Sequence, residues 1–227
     1  MEIAIAGGHG KIALLLGEQL AREGHRAVGL IRKEEQAGEL NELGIEPMLI
    51  DLESASAQEL AERLKGFDAV VFAAGAGPGS GAARKDTVDR GAAVLLADAA
   101  EAAGVPWLLQ ISAMSVETVR DGYHPEGMDA EFHAYLVAKL AVEDDLRARS
   151  ALNWTILRPG RLTDDSGTGD VTLKPSAERG DVTRADVAAV IVALLNARAG
   201  VNQVLELVSG PTQVAEAVAA LADLAAS

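Results

Sequence analysis

Tyr135 and Lys139 bracket the run Tyr135-Leu-Val-Ala-Lys139. On a helix, residues four apart share a face, so a phenol and an ammonium stand side by side. A free phenol has a pKa near about 10, so roughly one in a thousand is ionised at neutral pH. A neighbouring ammonium favours the phenolate and lowers that pKa, giving a group that can donate or accept a proton. A second chemistry-bearing stretch lies near the start of the chain. Ile3-Ala4-Ile5-Ala6 runs into Gly7-Gly8-His9-Gly10-Lys11-Ile12-Ala13, in which Gly7, Gly10 and Ala13 fit the spacing G-x-x-G-x-x-A. Gly7 supplies a sharp strand-to-helix turn, Gly10 lets the backbone approach a pyrophosphate, and Ala13 lets the helix pack closely on the strand. The N–H groups at the helix start then face the anion.

Other positions extend these two. Arg32-Lys33 ends the second apolar run, where a dinucleotide fold places the group that meets the adenosine ribose. A carboxylate there holds a 2′-hydroxyl, whereas an Arg accommodates a 2′-phosphate through charge-assisted, planar hydrogen bonds. NADP(H) is therefore expected in preference to NAD(H). Asp51-Leu52 follows the third run: the carboxylate could accept from an adenine amino group with Leu52 against the ring, or it could cap the next helix. Asp89, His124 and His133 read more simply as surface or structural groups. Glu143-Asp144-Asp145 reads as a solvated helix face.

These residues need elements to hold them. Apolar runs suit strands at 2–6, 26–31, 46–50, 68–73, 107–112 and 155–157. Helix-period segments lie between them at 10–23, 34–43, 57–65, 85–103 and 130–149. Gly24, Gly44, Gly66 and Gly104 sit just past four of those helices, where a left-handed cap is wanted. The alternation predicts an α/β fold with a doubly wound parallel sheet, of Rossmann type, in which ligands bind outside the carboxyl ends of the strands. Three long segments, 74–84, 113–129 and 158–170, leave such ends and should border one cleft. Beyond them a strand at 171–173, a helix at 184–197, a strand at 203–208 and a terminal helix from Thr212 form a small C-terminal α/β appendage.

Composition narrows the function. The chain has 227 residues, 49% hydrophobic and only 3% aromatic, so its core must be built from Ala, Val, Leu and Ile. This length suits a single domain, 1–227, with 158–227 contributing a small substrate-side part. A formal net charge of −14 should repel nucleic acid and anionic membranes, and it gives weight to each well-placed Arg or Lys. No cysteine is present, which excludes disulfides, thiol catalysis and thiolate metal sites. The histidines lack metal-ligand spacing, so no metal is expected. No signal peptide and no bilayer-spanning run is evident, and a soluble cytoplasmic protein with a small-molecule substrate is expected. Nothing in the residues sets an oligomeric state.

The glycine turn, Arg32, Asp51-Leu52, Ala73-Ala74-Gly75, Asp98-Ala-Ala-Glu-Ala-Ala-Gly104, Ile111-Ser112, the Tyr135/Lys139 pair, Arg158-Pro159-Gly160 and Val182-Thr183-Arg184-Ala185-Asp186-Val187-Ala188 together resemble the short-chain dehydrogenase/reductase superfamily. The likeness is nearest to its atypical branch, the NAD(P)H-binding proteins related to NAD-dependent epimerases and dehydratases, and it covers nearly the whole chain. The resemblance implies that Tyr135 is the acid/base and that Lys139 holds the nicotinamide ribose. It implies cofactor contacts at Gly7, Gly8, His9, Gly10, Lys11, Ile12, Ala73, Ala74, Gly75, Ile111, Ser112, Pro159 and Gly160. Two positions depart from the pattern. Where the extended epimerases carry a catalytic Ser or Thr, this chain has Met114, leaving Ser112 or Ser115, or neither, for that role. A helix position usually held by Asn is Asp89, whose charge would weaken the effect of Lys139 on Tyr135. Three activities fit: an NADP(H)-dependent oxidoreductase of a small carbonyl or alcohol, a non-catalytic NADP(H)-binding sensor, and an epimerase or dehydratase.

Overall fold

A computed structural model describes residues 1–77 and 79–224. Pro78, inside the expected segment 74–84, and the end of the expected terminal helix lie outside the described residues. Strand β1 (Glu2–Ala6) turns Ile3 and Ile5 to one side and Ala4 and Ala6 to the other, the period of two that a strand buried on both faces requires. Helix α1 (Lys11–Arg22) leads into β2 (Arg26–Ile31). A 3₁₀ turn (Glu34–Gln36) and a short α2 (Ala37–Glu42) replace the single helix expected at 34–43, and β3 (Glu46–Leu49) follows. Helix α3 (Ala57–Leu64), capped by the Ser56 hydroxyl on the Glu59 N–H, returns to β4 (Ala69–Phe72). The helical segment expected at 85–103 begins earlier and is wound unevenly: α4 (Ala82–Arg84), a π-helical stretch (Lys85–Ala92) and α5 (Ala93–Ala103) run on without a break. Strand β5 (Trp107–Ile111), a 3₁₀ turn (Val116–Gly122), α6 (Ala130–Ala148) and β6 (Asn153–Pro159) complete the alternating part.

The remaining elements are β7 (Arg161–Thr163), β8 (Asp170–Lys174), β9 (Asp181–Thr183), α7 (Arg184–Ala197), β10 (Gln203–Ser209), β11 (Thr212–Gln213), α8 (Val214–Ala219) and α9 (Leu221–Leu224). The main sheet runs β11-β8-β10-β6-β5-β4-β1-β2-β3. It is parallel from β3 to β10, and β8 and β11 add an antiparallel margin. The stretch β3-β2-β1-β4-β5-β6 is the Rossmann strand order, which reverses between β1 and β4 and opens a crevice there. The C-terminal α/β part is built onto this sheet through β10 and β8. Strands β7 and β9 were not anticipated; they pair in parallel as a separate ribbon. Residues of α1, α2, α7 and α8 share one apolar core with one face of the sheet, and residues of α3, α5 and α6 share a second core with the other. Gly24, Gly44, Gly66 and Gly104 all have the left-handed backbone expected past a helix end.

Candidate functional site

The turn after β1 is shaped by close backbone contacts. Gly7 has φ +75°, and a Cβ there would stand 2.6 Å from the Ala74 Cα. Gly10 begins α1 with no side chain capping it, so the first-turn N–H groups remain open to an anion. A Cβ at Gly10 would stand 3.1 Å from the Gly7 carbonyl oxygen, the bond acceptor of the Gly10 N–H at 2.8 Å. This uncapped, glycine-lined helix start fits a dinucleotide pyrophosphate. Gly8 faces the other way: its N–H donates to the Leu30 carbonyl at 2.9 Å, and a Cβ would lie 2.6 Å from the Gly29 Cα. Its smallness therefore serves the approach of the turn to β2. Gly10→Val is expected to leave the fold intact and to abolish binding of NADPH and NADH, because the branched side chain fills the space in front of the helix start. Thermal melting and calorimetry check this, and unchanged affinity would remove the turn from the cofactor site.

Two cavities meet along the strand ends. The first, about 330 Å³, is lined by Gly7, His9, Gly10, Arg32, Asp51, Leu52, Ala73, Ala74 and Gly75 among others. The second, about 480 Å³, is lined by Ile12, Ile111, Ser112, Tyr135, Lys139, Pro159 and Gly160, and shares Ala73, Ala74 and Gly75 with the first. Gly8 and Lys11 line neither. The Lys11 ammonium instead donates to Asp164 at 2.6 Å, and Asp164 also accepts from Arg184 at 2.7 Å. In the first cavity Arg32 approaches Glu53 to 4.0 Å, and Arg84, which sequence reasoning missed, donates to the same carboxylate at 2.8 Å. Asp51 does not cap α3, a task that falls to Ser56; its carboxylate accepts from the Glu53 N–H at 3.0 Å and closes a turn.

The second cavity holds the Tyr135/Lys139 pair. Lys139 is buried, and its ammonium donates to the Ile111 carbonyl at 2.9 Å. It stands 3.6 Å from Asp89 and 5.7 Å from the centre of the Tyr135 ring. Asp89 is also buried, accepts from the Ala76 N–H at 3.1 Å, and leaves Oδ1 without a hydrogen-bond partner among the described residues. Burial pushes the Tyr135 phenol above its ordinary value, and the Asp89 charge adds to the effect. That direction is opposite to the one expected from the Tyr135–Lys139 spacing, because burial and the Asp89 charge both favour the neutral phenol. Burial likewise pushes Lys139 down, with Asp89 opposing. A second buried ammonium, Lys85, also lies 5.7 Å from the Tyr135 ring centre; it donates to the Gly77 carbonyl and lies 3.5 Å from Glu131. Lys85 and Asp89 both project from the π-helical stretch, a winding that recurs at functional sites.

Ser112 is placed beside the pair, but its hydroxyl is committed. It donates to Glu143 at 2.6 Å. Glu143 is fully buried, which corrects its expected place on a solvated face. It accepts from Arg158 Nε at 2.9 Å, from Arg158 Nη2 at 2.6 Å and from Arg147 at 3.1 Å. The cause is Arg158, whose guanidinium emerges from β6 beneath α6 and needs a carboxylate where water cannot reach. Ser115 is placed differently. It lines a third cavity, of about 750 Å³, together with Tyr135, and its backbone is left-handed at φ +71°. A non-glycine residue held in that region is strained by of order 1 kcal/mol or more, and such strain clusters at functional sites. His124 and His133 stack on each other, 4.1 Å apart, and line none of these three cavities.

Comparison with known proteins agrees with this geometry. The model of the NAD(P)H-binding family matches residues 7–198. The Bacillus subtilis protein named uncharacterized sugar epimerase YhfK is 33% identical over 219 residues, covering 96% of this chain and 99% of that protein. A solved structure from Bacillus halodurans, assigned provisionally as an NAD-dependent epimerase/dehydratase, has a TM-score of 0.87 at 33% identity and covers 97% of this chain and 100% of that chain. The oxidoreductase ylbE from Lactococcus lactis gives a TM-score of 0.84 at 26% identity, over 98% of this chain and 97% of that one. No helix among the described residues is long and apolar enough to cross a membrane. With a Rossmann sheet, a glycine-lined helix start and a family match over most of its length, the chain belongs to the NAD(P)H-binding family, in the atypical short-chain dehydrogenase/reductase style.

Proposed function

We propose that this protein is an NADP(H)-dependent oxidoreductase acting on a small carbonyl or alcohol. The observation that carries the reading is Tyr135, which lines both the second and the third cavity and so stands between the expected cofactor cleft and open space for a substrate. A bound nicotinamide supplies or takes the hydride. Tyr135 holds the proton: with its phenol pushed up, it stays protonated and donates to a carbonyl oxygen as charge develops there. Lys139, fixed by the Ile111 carbonyl, presents its ammonium beside the ring and toward a ribose. Ser115 takes the role of second donor to the carbonyl, since the Ser112 hydroxyl is held by Glu143. The test is NADPH oxidation against a panel of small aldehydes, ketones and quinones. Tight NADPH binding with no turnover across the panel would favour the sensor reading, for which Asp89 beside Lys139 is the supporting contact.

The preference for NADP(H) rests on Arg32 and Arg84, two guanidiniums that converge on one carboxylate in the first cavity. In this reading they turn to a 2′-phosphate. Glu53 favours the alternative, since it could accept from the 2′-hydroxyl of NAD(H). Losing a charge-assisted hydrogen bond weakens an interaction by about 1.5–3 kcal/mol. Arg32→Ala is therefore expected to weaken NADPH by about one to two decades and to leave NADH nearly unchanged. Calorimetry with both cofactors decides it. Equal losses would give Arg32 another role.

A further inference from the structure

The third cavity has a charge opposite to that of the molecule. The chain as a whole carries −14. The cavity lining holds Arg161, Arg179 and Arg184 against Asp181 alone, three positive groups to one negative, or +2. Two of the arginines are already engaged. Arg161 is bound by both oxygens of Asp181, and Arg184 donates to Asp164 at 2.7 Å. Arg179 is exposed and has no carboxylate partner among the described residues. Arg198 is the other arginine in that state, and it caps the far end of α7, outside all three cavities. Of the two, only Arg179 stands at a cavity wall, where its guanidinium is available to a ligand.

Backbone contacts hold Arg179 there. The Gly180 carbonyl accepts from the Arg161 N–H at 3.0 Å, and a Cβ on Gly160 would come within 2.1 Å of that same oxygen. The segment carrying Arg179 is thus laid tightly against the Pro159-Gly160 turn. Apart from Ser115 and the Tyr135 hydroxyl, the rest of the lining has apolar side chains, among them Met114, Met128, Phe132 and Leu162. Phe132 is 47% exposed, an aromatic surface left uncovered by the fold. A pocket with an apolar wall and a few polar groups, of which one guanidinium has no carboxylate partner, selects a ligand with an apolar body and an anionic group.

We propose that the substrate is an amphipathic anion, an apolar body bearing a carboxylate or a phosphate, with the body against Phe132 and the anion on Arg179. Arginine pairs with either group through the same planar fork. The proposal rests on the oxidoreductase reading only in placing the reacting carbonyl at Tyr135. The test is calorimetry on the full chain saturated with NADP⁺, which cannot reduce an aldehyde. The probes are 4-formylbenzoate, 4-formylphenyl phosphate and the neutral methyl 4-formylbenzoate. At least one anion is expected to bind about tenfold or more tightly than the ester, which is the scale of one charge-assisted contact; the tighter anion identifies the group. Arg179→Gln should close that gap while NADP⁺ affinity stays the same, and Arg198→Gln should leave the gap open. An ester that binds as well as the anions, no binding by any probe, or a gap that survives Arg179→Gln would each overturn the proposal. NADPH consumption is read separately. Anion preference without consumption would sink the oxidoreductase reading alone, and consumption with no anion preference would sink this one alone.

Discussion

Tyr135→Phe loses about two decades of turnover or more and keeps the affinity of the wild type for NADPH. The substitution removes one oxygen and leaves the ring that packs beside Lys139 and Lys85. A positioned proton donor is worth about 10²–10⁴ in rate, which sets the scale of the loss. The pH profile carries the same information with a definite sign. A phenol raised above its ordinary value stays protonated to higher pH, so an alkaline fall in carbonyl reduction near the ordinary phenol value of about 10 belongs to the Lys139 ammonium, which burial pushes down, and not to Tyr135. Alcohol oxidation needs the phenolate and should keep rising through that range. Steady-state rates in both directions, with calorimetry for affinity, decide it. Equal turnover by the two proteins would mean that the proton moves through another group.

The largest effect on stability is expected at Glu143. Glu143→Ala strips the buried Arg158 guanidinium of two charged hydrogen bonds and leaves the Ser112 hydroxyl without its acceptor. Breaking a buried pair from one side is destabilising by about 3–5 kcal/mol when the charge left behind is uncompensated; here Glu117 still accepts from Arg158 at 2.7 Å, so the loss falls at the lower end, about 3 kcal/mol. For a chain of this size that is a fall in melting temperature of roughly 6–12 °C. Replacing both partners at once, Glu143→Leu with Arg158→Met, should restore much of the loss, because no orphaned charge remains. The exposed pair of Lys65 and Glu62 is the comparison: Glu62→Ala should shift stability by about 1 kcal/mol or less. Chemical denaturation measures all three. A double variant as unstable as Glu143→Ala would show that packing, not charge, governs the site.

Much of the scaffold could be read from residue order, and the reasons are local. Strands β1 and β2 begin and end where their apolar runs do, and α7 spans the residues its period marks. Glycines past α1, α2, α3 and α5 terminate helices through a backbone preference that acts within a few residues. The site was legible where chemistry follows from spacing. Tyr135 and Lys139 are neighbours because α6 is a regular helix, and Asp89 reaches Lys139 as the family pattern implied. What could not be read depends on contacts between distant segments. The π winding at Lys85–Ala92 changes which side chains face the cavity without altering the apolar pattern. Burial of Glu143 requires knowing that Arg158 lies beneath α6, and an acidic triplet alone says the opposite. The ribbon of β7 and β9 joins runs of three residues about twenty apart, too short for periodicity to register. The sign of the Tyr135 shift turns on burial, which no pairwise spacing contains.

The sheet margins described above bear on how this protein behaves at high concentration. An open row of backbone donors and acceptors is a template for strands of other molecules. Here one margin is β3, four residues long with Pro47 at its second position, so one donor is missing where another chain would need it. The other is β11, of two residues, beyond which β8 ends in Lys174 and meets Pro175. Neither rim offers a long, fully hydrogen-bonding template. Together with a charge of −14, this makes edge-to-edge fibrillar association a poor route for the chain, and leaves a folded, dispersed state to present the cleft.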